Sequence, residues 1–372
     1  PIHAGEAQAQ SKPNVLIIYT DDMGAGDVSF LNNGWVKTPN IDKLASGGLI
    51  VTNYYSSSPV SSPSRVGLTT GRFPTEMGIN CYLQTRKGNA ACEQFDYLDA
   101  SVPTMAKVMK SAGYTTGHFG KWHMGGGRDV IDAPQITEYG FDEYISTWES
   151  PNPDPVITDS AWIWSRTDQV KRWDRTAYFV DKTLDFLKRH KGEPCFVNLW
   201  PDDMHTPWVP SQKTMDSERT SWTTPPNFKE VLTEYDKQIG RLMEGLTKLG
   251  LEKNTIVIFT SDNGPAPSFQ QMRTNSLLGV KCSLYEGGIR MPFAIHWPEK
   301  IKAGGINDSS IVCAVDLLPS LCALTGAKLP LDMELSGEDM SRALLGEPQI
   351  RKKDLMWDFG RNKAFNYPRG KN

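Results

Sequence analysis

No long apolar run interrupts this chain. Nowhere in its 372 residues do 18 or more apolar residues follow one another, so no transmembrane helix is expected. An excess of either charge is missing too. The 40 Lys and Arg nearly balance the 43 Asp and Glu, for a net charge of -3. That balance argues against nucleic-acid or general polyanion binding driven by overall charge and leaves room for a local basic pocket. The six cysteines, at 81, 92, 195, 282, 313 and 322, lack the paired spacing of a zinc site. Cys195 and Cys322 sit in apolar runs and read as core. Cys81 and Cys92 flank a polar loop and are placed to close a local disulfide in an oxidising compartment. There are no internal repeats. The length suits one large α/β domain with a smaller second unit.

What is present is an alternation of apolar runs with helical stripes. Asn14 to Thr20 is a continuous β-branched run, the pattern of a strand buried on both faces. Similar runs occupy 114–119, 196–200, 255–260 and 292–297. Between them, residues 103–112, 176–190, 228–249 and 316–325 carry helical periodicity. Strands alternating with helices predict a large, mostly parallel sheet sandwiched between helices. Residues 125–170 are rich in Gly, Pro, Asp and Trp and read as functional loops. A final apolar run at 355–359 reads as a strand opening a further unit.

The polar residues cluster where the strands end. The first strand runs into Asp21-Asp22. The strand at 114–119 delivers Lys121-Trp122-His123, the one at 196–200 precedes His205, and the one at 255–260 runs into Asp262-Asn263. In open α/β sheets the carboxyl ends of the strands carry the site. Adjacent carboxylates there call for a positive partner, and the oxygen-only set Asp21, Asp22, Asp262 and Asn263 suits a hard cation such as Ca²⁺.

The stretch Ser61-Ser62-Pro63-Ser64-Arg65 opens a helix, because proline is tolerated in its first turn. The N–H groups exposed at that end favour an anion. Together with Thr70-Gly71-Arg72 this stretch resembles the sulfatase signature, a Cys or Ser followed by x-Pro-Ser-Arg and then Thr-Gly-Arg. The resemblance covers most of the chain and implies an alkaline-phosphatase-like fold with a small antiparallel C-terminal subdomain, here cut short. The segments expected are a signal-peptide remnant or tail over 1–12, a catalytic domain over 13–345 and the start of the subdomain over 346–372. The resemblance further implies that Ser61 is oxidised to formylglycine by a maturation enzyme. One Ca²⁺ would be held by Asp21, Asp22, Ser61, Asp262 and Asn263. Lys121 and Lys281 match sulfate-binding lysines, Arg65 and His123 match residues that hold the formylglycine hydrate, and His205 matches the general acid. Serine at the first position marks either a bacterial serine-type enzyme or an engineered replacement of cysteine.

The activity so implied is hydrolysis of a sulfate ester. The substrate expected is an O-sulfated carbohydrate such as a glycosaminoglycan, mucin or algal glycan, gripped by loops around Trp162, Trp164 and Trp208 with Arg166 and Arg172. The alternatives are a phosphoester or phosphonate ester hydrolase of the same superfamily, or an inactive sulfated-glycan binder if Ser61 stays unmodified. Ala7-Gln8-Ala9 in the polar N-terminus resembles the end of a signal peptide, so a periplasmic or secreted protein is expected.

Overall fold

The computed structural model describes residues 11–32, 34–158 and 163–359. Among them are ten strands: β1 Asn14–Thr20, β2 Leu49–Val51, β3 Tyr54–Tyr55, β4 Thr115–Gly120, β5 Glu143–Ser146, β6 Cys195–Trp200, β7 Thr255–Ser261, β8 Phe293–His296, β9 Gly305–Asn307 and β10 Val312–Cys313. Eight of them form one sheet in the order β5-β4-β6-β1-β7-β8-β2-β9. Only β8 runs against its seven companions, being antiparallel to both β7 and β2.

The unbroken apolar pattern of β1 has its cause in this order. All seven of its residues are buried, with β6 on one side and β7 on the other. Alternate side chains point to opposite faces. Val15, Ile17 and Tyr19 enter one core, with Val66, Met105 and Leu321 from the helices Ser61–Thr70, Met105–Ser111 and Leu317–Thr325. Leu16 and Ile18 enter the other, with Leu44, Phe179 and Leu232 from Pro39–Ser46, Arg175–Arg189 and Pro225–Lys248. The sheet is therefore covered on both faces, as the alternation predicted.

Register then decides what meets at the rim. Thr20 lies beside Ser261, so Asp21 and Asp262 leave the sheet as neighbours. Gly120 lies beside both Trp200 and Ser146, which brings the segments after β4, β5 and β6 to the same edge.

Three expectations change. The long helix begins at Pro225, three residues before the apolar stripe suggested, because Thr224 caps it by accepting from the Asn227 N–H. Residues 355–359 form no strand; Trp357 instead donates from Nε1 to the Ser56 carbonyl at 2.7 Å and packs beside Tyr55 and Phe73. All six cysteines are unbridged, Cys81 and Cys92 included. The expected tail lies almost wholly outside the described residues, and the segment 346–372 is described only to residue 359.

Candidate active site

Three carboxylates form the floor. Asp21 and Asp22 follow β1, Asp262 follows β7, and all three are buried. The Asp22 N–H donates to Asp262 Oδ1 at 3.1 Å, and Asn263 Nδ2 donates to Asp22 Oδ1 at 2.7 Å. Asp22 holds a left-handed φ of 57°, a conformation that costs a non-glycine residue energy and must be enforced by its surroundings. Part of that enforcement is Arg273. It is fully buried, ion-paired to Asp27 at 2.8 Å, and donates to the Asp22 carbonyl at 2.7 Å.

One oxygen from each of Asp21, Asp22 and Asp262 lies within 4.8 Å of the others. Calcium takes oxygen ligands at about 2.3–2.6 Å, so two ligands of one ion stand at most about 5 Å apart. The spacing and the all-oxygen donor set therefore fit a single hard cation. Burial raises the Asp262 carboxyl above its ordinary range, with Arg65 opposing and Asp21 adding to the rise. Burial also acts on Asp21, but Lys121, His205 and Arg65 outweigh it and hold that group well below the usual range.

Ser61 is the first residue of the Ser61–Thr70 helix, whose N-cap is Val60. Its Oγ donates to Asp21 Oδ1 at 2.9 Å, and lies 3.3 Å from Asn263 Oδ1 and 3.4 Å from Lys121 Nζ. The helix sits this deep because Gly67 passes close to Ser57: a Cβ at 67 would lie 2.0 Å from the Ser57 hydroxyl oxygen. One turn on from Ser61, Arg65 pairs with Asp262 at 2.8 Å, donates to the Lys121 carbonyl at 3.0 Å and lies over the Trp200 ring. Lys121 pairs with Asp21 and Lys281 with Asp22, both at 2.8 Å. Three cations thus face three carboxylates. A divalent ion on the carboxylates would release the two ammonium groups to an anionic ligand.

The two histidines flank this centre differently. His123, at a left-handed φ of 52°, has Nε2 3.0 Å from the Leu83 carbonyl and Nδ1 3.2 Å from Glu149 Oε2. Burial pushes its imidazole down to about 3, with Glu149 opposing. His205 has Nδ1 2.6 Å from the Thr206 carbonyl and Nε2 3.7 Å from Asp22 Oδ2. A carbonyl only accepts, so Nδ1 carries the proton and Nε2 faces the acidic cluster. Burial and then the Lys281 charge push His205 below the ordinary histidine range. Arg172 fixes its loop by donating to the carbonyls of Asp202 and His205 at 2.8 and 3.1 Å. Asp21, Lys121, Trp148, Glu149 and His205 line a narrow cleft. A larger cavity of about 620 Å³ between Arg72, Glu334 and Met356 shares no residue with it.

Ser61, Arg65, Lys121, His205, Lys281, Asp21, Asp22, Asp262 and Asn263 are therefore joined by direct contacts, and His123 joins them through Glu149 and Lys121. The tryptophan expectation fails for two of its three residues. Trp208 is fully buried against Phe228, and Trp164 is buried against Trp222; Trp162 lies outside the described residues. Arg172 is a buried scaffold residue and not part of an exposed sugar-binding face. Glu149 and Arg273 went unread. The one signal for Glu149 was its place in the irregular 125–170 segment.

The fold is thus a mostly parallel α/β sheet with buried carboxylates and a helix-borne serine gathered at its strand ends. The Sulfatase family model matches residues 13–327. An N-acetylgalactosamine-6-O-sulfatase of Bacteroides thetaiotaomicron is 29% identical, over 95% of this chain and 81% of that protein. Bovine arylsulfatase A is 31% identical, over 94% of this chain and 71% of its own length. A solved structure from work on the metabolism of multiple glycosaminoglycans by Bacteroides thetaiotaomicron superposes with a TM-score of 0.74 at 28% identity, covering 90% of this chain and 82% of the other. The chain belongs to the sulfatase family, whose members are sulfuric ester hydrolases.

Proposed function

We propose that this enzyme removes sulfate from an O-sulfated carbohydrate, with Ser61 oxidised to formylglycine as the nucleophile. The observation that carries this reading is the Ser61 hydroxyl. It donates to Asp21, with Asn263 and Lys121 beside it. Asp21, Asp22, Asp262, Asn263 and the modified Ser61 would hold one Ca²⁺, which supplies Lewis-acid polarisation of the sulfuryl oxygen. Lys121 and Lys281 bind the sulfate and meet the charge that grows on its oxygens in the transition state. Arg65 fixes the negative charge around Asp262 and Asp21, His123 takes a proton from the nucleophile's second hydroxyl, and His205 protonates the leaving oxygen from Nε2. The names of the Bacteroides relative and structural neighbour support a carbohydrate substrate. Export to the periplasm or beyond, and an encounter there or before with a formylglycine-generating enzyme, belong to the same proposal, as does the division into 1–12, 13–345 and 346–372.

Intact mass and sulfate release test it together. Expressed alone, the protein should keep Ser61 and be nearly inert toward N-acetylgalactosamine 6-sulfate and a panel of sulfated saccharides. Expressed with a maturation enzyme, it should lose about 2 Da, the two hydrogens of alcohol oxidation, and release sulfate from at least one of them. Full turnover by protein whose Ser61 is intact would refute the formylglycine mechanism.

A further inference from the structure

A buried carboxylate beside a site built for an anion needs explaining, because it repels the substrate. Glu149 is such a group, 7% exposed, three residues past the end of β5 and lining the cleft with Asp21 and Lys121. Its Oε2 lies 3.2 Å from His123 Nδ1 and 3.8 Å from Lys121 Nζ, and its Oε1 lies 3.2 Å from Arg128. Its backbone carbonyl also accepts from the His123 N–H at 3.0 Å, so the two residues are tied twice.

The tautomer of His123 follows from its other side. Nε2 faces the Leu83 carbonyl, which only accepts, so Nε2 carries a hydrogen. A neutral His123 then has its lone pair on Nδ1, with a carboxylate oxygen 3.2 Å away. That contact is repulsive when Nδ1 is bare and attractive when it is protonated. Nδ1 makes no hydrogen bond among the described residues, and its contact with Glu149 is one of charge alone.

We propose that Glu149 is a positioning residue that makes Nδ1 of His123 the proton acceptor. This rests on the formylglycine reading above. In the step concerned, Nδ1 takes the proton of the hydroxyl on the oxidised Ser61 carbon. The C=O re-forms, the bond from that carbon to the sulfate oxygen breaks, and its electron pair leaves with sulfate. The imidazolium so formed sits against Glu149 and then gives its proton to solvent, while addition of water to the C=O, which needs no net proton, restores the hydrate. Arg128 and Lys121 share the same carboxylate, Arg65 and Lys121 oppose the positive charge on His123, and His205 also acts on Glu149. Burial raises the Glu149 carboxyl, but His123, Lys121 and Arg128 outweigh it and keep the group ionised.

The test reads the imidazole directly and does not require turnover. Protein labelled with ¹⁵N-histidine is titrated over the range in which it stays folded, and the His123 signal is assigned by its loss in His123→Gln. In Glu149→Gln the His123 midpoint should move to lower pH, at least a tenfold loss of proton affinity. In Arg128→Gln, which leaves the carboxylate less neutralised, it should rise. In matured enzyme Glu149→Gln should lower kcat on the order of tenfold or more with little change in KM, and Glu149→Asp should restore part of it. An unchanged midpoint in Glu149→Gln would overturn the proposal; should that variant not fold, a midpoint in Arg128→Gln that stays or falls would do so. If matured protein releases no sulfate while the midpoints shift as expected, the sulfatase mechanism fails and the Glu149–His123 pairing stands.

Discussion

At the scale of single residues, His205 shows how the local environment sets a working pH. Its Nδ1 proton is committed to the Thr206 carbonyl, so the proton for a leaving alcohol must sit on Nε2, the atom that faces Asp22. Burial and Lys281 disfavour that second proton. A general acid acts only when protonated, and a depressed pKa moves the protonated form to lower pH. The kcat/KM profile of matured enzyme should therefore fall on its alkaline side with a midpoint below the ordinary histidine value of about 6.5, and His205→Ala should lose that limb. An alkaline limb that survives in His205→Ala would assign the proton to another group. His205, Lys121 and the Asp pairs were legible because each follows a strand that the apolar pattern marks clearly. Glu149 was not, because β5 is four residues long and only partly buried, which leaves too short a pattern to announce the turn that follows it.

At the scale of elements, the Ser61–Thr70 helix owes its position to what it lacks. All ten of its residues are buried, and at Gly67 the helix backbone comes against Ser57 with no room for a methyl group. Gly67→Ala should cost about 2 kcal/mol through overpacking, despite alanine's better helix propensity. Because the same helix carries Ser61 and Arg65, the displacement should also lower calcium affinity. Ser57→Gly should relieve both effects in the double variant, as thermal denaturation and calcium titration would show. A Gly67→Ala protein as stable as its parent would mean that the helix can shift without penalty. The signature announced this helix, and periodicity announced the ones behind β6 and β7. Composition misled at the tryptophans: Trp164 and Trp208 lie in loop sequence, yet Trp164 fills a small core beneath its loop and Trp208 joins the main core on one face of the sheet, where a large ring contributes most by being buried. The apolar run at 355–359 misled similarly, since Trp357 is satisfied by one carbonyl and two rings and needs no strand partner.

At the scale of the whole molecule, the candidate metal residues join parts of the chain that are far apart in sequence. Asp21 and Asp22 follow the first strand, Ser61 opens a helix on one face, and Asp262 and Asn263 follow a strand some 240 residues later. Pairing the carboxylates with Lys121, Lys281 and Arg65 neutralises the cluster. It leaves three buried carboxylates crowded within 4.8 Å, a cost that a shared divalent ion would relieve. Binding to the folded state alone stabilises by mass action, about 2.7 kcal/mol when free Ca²⁺ is a hundredfold above its dissociation constant. Calorimetry should therefore show a higher Tm in calcium than in chelator. The gain should shrink as pH falls, because Asp21 and its neighbours must be ionised to bind the ion. Asp262→Asn removes one charge and keeps the shape, so it should lose most of the calcium gain while its Tm in chelator stays close to the parent's or rises. The same gain should appear in protein with Ser61 intact, since the carboxylates do not depend on the modification. A Tm indifferent to calcium in both forms would remove the metal from these residues and leave Lys121, Lys281 and Arg65 to balance the carboxylates.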